Sequence, residues 1–544
     1  MAGQAAAPAR GESGRHDALI IGAGFAGLYM LHTLRDRQDL DVHVLEAADG
    51  VGGTWYWNRY PGARCDSESH GYCYAFSDEL AKSWEWSERY PGQAEILRYL
   101  NHVADRLDLK RDISFATRVT SLAYDEAAKL WHVTTNTGER LSATFVITAV
   151  GCLSTANVPN IAGLDDFQGR WYHTGEWPHA GVDFEGKRVG QIGTGSTGIQ
   201  SAPVIAETAA HLTVFQRTAN YSVPARNGPL SPEFKTYVRD NFDEIRRVMR
   251  ETPNGHPFVI ENRSAFDVTD EEREAIYEAA WQRGGLRFRA EFCDLVANKA
   301  ANDTAAEFIK SKIREVVHDP ERARILSDID HPYAAKRPPI DTDYFETFNR
   351  ANVSLVDLKA DPIDRITPAG IRLKSGTEHA LDIIVFATGF DAMTGPLLRM
   401  DIRGRDGVKL AETWAEGPKS YLGLQVAGFP NLFTITGPGS PSVLTNMPTA
   451  IEHHVEWIAE CIATLRKAGA GTIEATPAAV EDWGGEVARA AAQTLLPGVD
   501  HSWYLGANVP GKPRVFMPYT GGMKHYRAIC EDVARRGYAG FNLS

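Results

Sequence analysis

Ala18-Leu19-Ile20-Ile21-Gly22-Ala23-Gly24-Phe25-Ala26-Gly27 decides the fold. The four apolar residues read as a buried parallel strand. Gly22-x-Gly24-x-x-Gly27 then makes a tight turn, and Leu28 to Arg35 reads as a helix. Strand, glycine turn and helix in that order give the motif its weight. The glycines let the backbone approach a pyrophosphate, whose charge the helix N-terminus favours. Val42-His43-Val44-Leu45 reads as a second strand and ends in Glu46. An acid there accepts from a ribose 2′-hydroxyl and repels a 2′-phosphate. The site therefore suits an unphosphorylated adenosine, FAD or NAD, the alternative being a glycine turn without a ligand. Gly22, Gly24, Phe25, Ala26, Gly27 and Glu46 are its candidate binding residues.

The pattern returns further along the chain. Lys187 to Ile192 leads into Gly193-Thr194-Gly195-Ser196-Thr197-Gly198, a helix from Ile199 to Ala206 follows, and a strand from Leu212 to Gln216 ends in Arg217. Glu46 lies 24 residues beyond Gly22, and Arg217 lies 24 residues beyond Gly193. One structural position thus carries an acid in the first site and a base in the second. An arginine pairs with a 2′-phosphate, so the first site reads as FAD and the second as NADP. Gly193 to Gly198, Arg217 and Thr218 are the candidate NADP residues; the plain alternative for Arg217 is a surface charge.

Gly52-Gly53-Thr54-Trp55-Tyr56-Trp57 through Asp66 is dense in Gly, Trp, Tyr and Arg. It suits a loop against a flat aromatic cofactor, with Gly53, Thr54 and Trp55 in contact, or else a small aromatic core. Ile113 to Leu141 alternates as an antiparallel meander, and Phe145 to Gly151 reads as a strand returning to the first sheet. Pro229 to Asp330 is charged and helical in period, with capping boxes at Thr269-x-x-Glu272 and Thr304-x-x-Glu307; ordinary packing is its default role. Leu381 to Phe390 is a buried strand ending in Ala-Thr-Gly.

The expected fold class is α/β, with two Rossmann-like dinucleotide-binding domains and a helical insertion in the second. Residues 1–16 read as a loose tail. Residues 17–150 form the first part of the FAD domain and 151–228 the first part of the NADP domain. Residues 229–330 are the helical subdomain, 331–388 complete the NADP domain, and 389–544 complete the FAD domain.

Composition narrows the function. The 544 residues are 43% hydrophobic and 23% charged, with a net charge of −13. That is a globular balance, and the acidic surface argues against nucleic acid as the main partner. The six cysteines lie far apart without a Cys-x-x-Cys pair, which weighs against a disulfide scaffold, a metal site and a dithiol reductase. With no long apolar run and no signal sequence, the expectation is a cytoplasmic enzyme without membrane partner, working as a monomer.

Between the two fingerprints lies Phe167-Gln-Gly169-Arg-Trp-Tyr-His173-Thr-Gly-Glu-Trp177-Pro178, which on its own looks like a loop. Phe-x-Gly-x-x-x-His-x-x-x-Trp-Pro between two such motifs resembles the signature of the Baeyer–Villiger monooxygenases. The resemblance runs from about Ala18 to the C-terminus. It implies an enzyme that uses FAD, NADPH and O2 to turn aryl, cyclic or steroid ketones into esters or lactones through a flavin C4a-peroxide. It puts Arg337 in the position of the catalytic arginine, with Asp66 close by to orient it, and Lys336 near the NADP 2′-phosphate. It matches Pro441, Ser442 and Val443 to a stretch lining the substrate pocket. His501 to Asn508 matches a mobile loop that folds over the nicotinamide, with Trp503 as anchor. Pro338 departs from the family, where an aliphatic residue is usual. His173 reads as structural in a linker between the domains, coupling their motion to turnover, ahead of a role as general base. The alternatives are a flavin monooxygenase acting on nitrogen or sulfur, and a flavin reductase without oxygen chemistry.

Overall fold

The computed structural model describes residues 14–544. Most of the tail expected over 1–16 lies outside the described residues, but Arg15 and His16 already belong to the first strand. That strand, β1 (Arg15–Ile21), pairs in parallel with β2 (Val42–Leu45) on one side and with Arg140–Thr148 on the other. Ala18, Leu19 and Ile20 are wholly buried, which explains why the run is apolar without alternation. A leucine or isoleucine side chain buried in this way contributes about 1.5–3 kcal/mol. Between the strands, α1 (Phe25–His32) continues as one π-helical turn over Thr33–Arg37.

The first sheet has eight strands. Its order is Asp401–Arg403, Val119–Asp125, Leu130–Thr135, Arg140–Thr148, β1, β2 and Ile113–Ser114, with Leu432–Thr434 also against Arg140–Thr148. The meander and the returning strand share one element. Arg140–Thr148 pairs antiparallel with Leu130–Thr135 through its first half and runs parallel to β1.

The second sheet is parallel throughout. It holds β3 (Arg188–Ile192) and β4 (His211–Gln216), joined by α2 (Ser196–Thr208). Its order is Val353–Asp357, β4, β3, Ile383–Phe386 and Arg170–His173. This last strand corrects the reading of the signature as a loop. Gly169 explains the close pairing: a Cβ there would meet the Asp382 carbonyl oxygen at 2.4 Å and the Phe167 ring at 2.5 Å.

The insertion carries α-helices over Pro232–Asp240, Phe242–Glu251, Asp270–Arg283, Lys299–Val316 and Pro320–Ser327. Thr269 and Glu272 form the expected capping box. Thr304 does not open a helix. It lies inside Lys299–Val316, which Asn298 caps, and its hydroxyl donates to the Ala301 carbonyl. The chain returns to the first sheet at Asp401–Arg403 and then lays α3 (Met447–Ala468) against α1. Among the described residues, no helix is long and apolar enough to cross a membrane.

Candidate active site

A cleft of about 1020 Å³ opens where the two sheets meet. From the first fingerprint, Gly22, Gly24, Phe25, Ala26 and Glu46 line it; Gly53, Thr54 and Trp55 come from the following loop, and Ser196 and Thr197 from the second fingerprint. The first glycine turn lines this space directly, and the second fingerprint reaches it through Ser196 and Thr197, where its helix begins. The same contact builds each turn. Gly22 has φ +104° and a Cβ would meet the Ala149 carbonyl oxygen at 2.6 Å; Gly193 has φ +115° and a Cβ would meet that of Ala387 at 2.3 Å. Gly27 and Gly198, by contrast, sit against the carbonyls of Gly22 and Gly193. They serve helix–strand packing, and neither lines the cleft. At Gly195 a Cβ would meet nothing within 4 Å, so this face of the second turn stays open for a pyrophosphate to approach.

Glu46 is buried, and its two carboxylate oxygens accept from the backbone of Ala23 at 2.5 Å and of Ala48 at 2.8 Å. Burial pushes its pKa up, and these N–H groups oppose that. A second lone pair on each oxygen remains for ribose hydroxyls. At the other site, Thr194 ties the turn to Thr218, its hydroxyl donating to that residue's carbonyl at 2.7 Å. Arg217 is exposed, and the half-buried Lys336 feels its charge. Burial lowers Lys336 most, Asp330 opposes this, and Arg217 adds to the lowering, leaving a value of about 8. Neither cation has an ion pair of its own among the described residues, and two such neighbouring charges fit a bound dianion. The residues of the first site fit FAD and those of the second fit NADP.

Asp66 and Arg337 meet inside the cleft, Arg337 Nε donating to Asp66 Oδ2 at 3.1 Å. Arg337 Nη1 also donates to the Val443 carbonyl at 3.2 Å, so two elements fix the guanidinium. Burial raises the Asp66 carboxyl and Arg337 pulls part of that back. On Arg337 burial acts downward, but the charge and hydrogen bond of Asp66, with Tyr504 and Cys65, together outweigh it and the guanidinium keeps its proton. Gln200 on α2 reaches the same segment. Its Nε2 donates to the Arg64 carbonyl at 3.1 Å, and its Oε1 accepts from Tyr60 Oη at 2.8 Å. Sequence reasoning missed Gln200, although a polar residue on the buried face of a helix behind a fingerprint was the available signal.

The signature clamps the second sheet to this cleft. Trp177 is buried and lines it. His173 is not part of the cleft's lining. Its Nδ1 accepts from Gly175 N at 3.0 Å, its ring stands edge-on to Phe390 at 6.0 Å, and burial lowers its pKa to about 4. It is a neutral hydrogen-bond acceptor that fixes a turn.

Of the expected pocket residues, Pro441 and Val443 line a smaller side cavity of about 130 Å³, and Val443 the main cleft as well. Ser442 is turned away: it is wholly buried, and its hydroxyl points at Met393 Sδ. In the late loop Trp503 faces the cleft. Its neighbour Tyr504 is the more deeply buried of the two, at 2% exposure, and lines the side cavity. The insertion also does more than pack, since His256, Leu286, Arg289 and Val296 form part of that cavity.

The sequence profile of the pyridine nucleotide-disulphide oxidoreductase family matches residues 19–279, although all six cysteines here are free. A Baeyer–Villiger monooxygenase of Pseudooceanicola batsensis is 47% identical over 96% of this chain and 95% of its own. A phenazine N-monooxygenase of Lysobacter antibioticus is 45% identical over 97% of each chain. The solved structure of an oxidised steroid monooxygenase bound to NADP matches with a TM-score of 0.93 and 53% identity, covering 97% of this chain and 99% of that one. Two sheets, one mixed and one parallel, each with its strand–glycine turn–helix unit, around one cleft define a two-dinucleotide flavoprotein. The chain belongs to the Baeyer–Villiger monooxygenase family.

Proposed function

We propose that the chain inserts oxygen beside the carbonyl of a ketone held at Arg337. Ketone, O2, NADPH and a proton give an ester or lactone, NADP⁺ and water. FAD, reduced by NADPH when both are bound, supplies the oxygen chemistry. The protein supplies binding and charge. Glu46 and the first glycine turn hold FAD, while Arg217, Lys336 and the second turn hold NADPH. Arg337 stands ready as an N–H donor to the ketone oxygen, where negative charge builds during attack. Asp66 and the Val443 carbonyl keep the guanidinium oriented, and Asp66 neutralises it while the site waits. Trp55, Trp177 and Trp503 wall the cleft and exclude water, which strengthens that electrostatic contact.

The observation that carries this reading is the Arg337–Asp66 pair, 3.1 Å apart inside a cleft both fingerprints share. The family also contains the phenazine N-monooxygenase above, so oxidation at nitrogen is the second reading. The test is NADPH consumption by the FAD-loaded protein with product analysis, over cyclohexanone, phenylacetone, a long-chain ketone, progesterone, and an amine and a sulfide. Ester or lactone formed in step with NADPH loss is expected. Arg337→Met should lower that rate by about a hundred- to a thousandfold with FAD still bound. Oxidised amine with every ketone returned unchanged would establish the second reading instead.

A further inference from the structure

The side cavity carries a charge that the reaction above does not use. It adjoins the main cleft, since Arg337, Val443 and Thr445 line both. Its charged lining is Arg289 and Arg337, its other titratable groups are His256, Tyr504 and Tyr519, and no aspartate or glutamate lines it. That is unusual in a chain with net charge −13. Arg337 is matched by Asp66. Arg289 is not: among the described residues it has no ion pair and no hydrogen bond. The groups it feels are Tyr333, Tyr504 and the repelling Arg337, and burial lowers its pKa. An arginine keeps its proton under such pressure, so a cation stands over the cavity without a counter-charge. A second observation is independent of it. Thr445 and Thr520 line the same cavity, and their hydroxyls have no hydrogen-bond partner.

A neutral ligand would strip water from Arg289 and give nothing back, which is costly for a charged group. A carboxylate answers every feature. It is planar and takes two parallel N–H bonds from a guanidinium, and a rotation about χ1 would bring a threonine hydroxyl, now closed into the wall without a partner, to its remaining lone pairs. We propose that this cavity is a subsite for a carboxylate carried by the ketone substrate, with the acid arm on Arg289 and the carbonyl beside Arg337. The inference rests on the ketone reading above and names the substrate class: short keto acids, as a volume of about 130 Å³ suits.

The test uses the FAD-loaded enzyme with 5-oxohexanoate and its methyl ester. The acid should have the higher kcat/KM by about tenfold or more, mostly through KM. Arg289→Met should lower kcat/KM for the acid by about ten- to a hundredfold and leave the ester within about twofold, and Arg289→Lys should recover part of the loss. Equal handling of acid and ester by the unaltered enzyme, or equal loss of both in Arg289→Met, overturns the proposal. A readout free of turnover accompanies it: titration with hexanoate, hexanamide and inorganic phosphate, followed by the flavin absorbance. Hexanoate should bind more tightly than both. Parity with hexanamide, or tighter binding of phosphate, overturns the carboxylate subsite even if Arg289→Met fails to fold. If neither the acid nor the ester is oxidised, the keto-acid substrate is overturned, while the ketone reading stands or falls on the wider panel and the titration decides the subsite.

Discussion

The two glycine turns are near copies, and the residues 24 places beyond their first glycines are not. Glu46 is 5% exposed, and both its oxygens are engaged by the backbone of its own site. Arg217 stands in solvent with no ion pair among the described residues. The acid is part of the fold as well as part of the binding site, because it stitches the end of β2 to the turn after β1. The base belongs to the binding site alone. Equivalent positions in a duplicated architecture thus differ in what a substitution would disturb. The difference follows from burial, since a buried charge must find partners within the protein and an exposed one can wait for a ligand.

Exchanging the two residues breaks this comparison in unequal ways. The largest effect is expected for Glu46→Arg. It removes the acceptor from two backbone N–H groups and buries a cation opposite them, at about 3–5 kcal/mol. The protein should emerge without FAD and with a markedly lower melting temperature, read from the flavin absorbance and a thermal scan. A yellow, stable Glu46→Arg would show that the acid only contacts the ligand. Arg217→Glu should leave the melting temperature and FAD content alone. Its kcat/KM for NADPH should fall by about ten- to a hundredfold, while NADH should gain or hold, since an acid there accepts from a free 2′-hydroxyl. Loss of NADPH and NADH together would remove Arg217 from phosphate recognition.

The same contrast explains what the sequence made legible. Both strand–turn–helix units, and the acid and base at matched spacing, could be read because each lies in one continuous stretch with a strong local period. The strand Arg170–His173 could not. It is four residues long and gains its partners from Ile383–Phe386, more than two hundred positions away. The Arg337–Asp66 pair came from family likeness and not from local pattern, since 271 residues separate its members. Arg289 was hidden further still, on a six-residue 3-10 turn inside a charged helical insertion read as ordinary packing. Gln200 and Tyr504 show the converse failure. Each was passed over beside a more conspicuous neighbour, the fingerprint and Trp503, though burial gives them the structural work.

The smallest expected effect sharpens the comparison from the side of the base, through pH. Lys336 assists Arg217, and burial, against the pull of Asp330, together with Arg217 brings it to about 8, below the usual lysine value of about 10. Its value in the folded protein is depressed, so its charge is complete near pH 7 and is lost as pH rises through 8. A 2′-phosphate keeps about two negative charges throughout that range. Above pH 8 the cofactor must therefore bind together with a proton, and affinity for NADPH falls as pH rises. NADH has no 2′-phosphate, so its KM should not follow. The ratio of kcat/KM for NADPH to that for NADH should shrink by up to about tenfold between pH 7 and 9, one pH unit of uncompensated charge corresponding to at most about 1.36 kcal/mol. Lys336→Arg, which cannot lose its charge in this range, should flatten the ratio while keeping the preference. A ratio that stays level in the unaltered enzyme would mean that Arg217 holds the phosphate alone. The opposition of the two cations would then be a feature of packing and not of recognition.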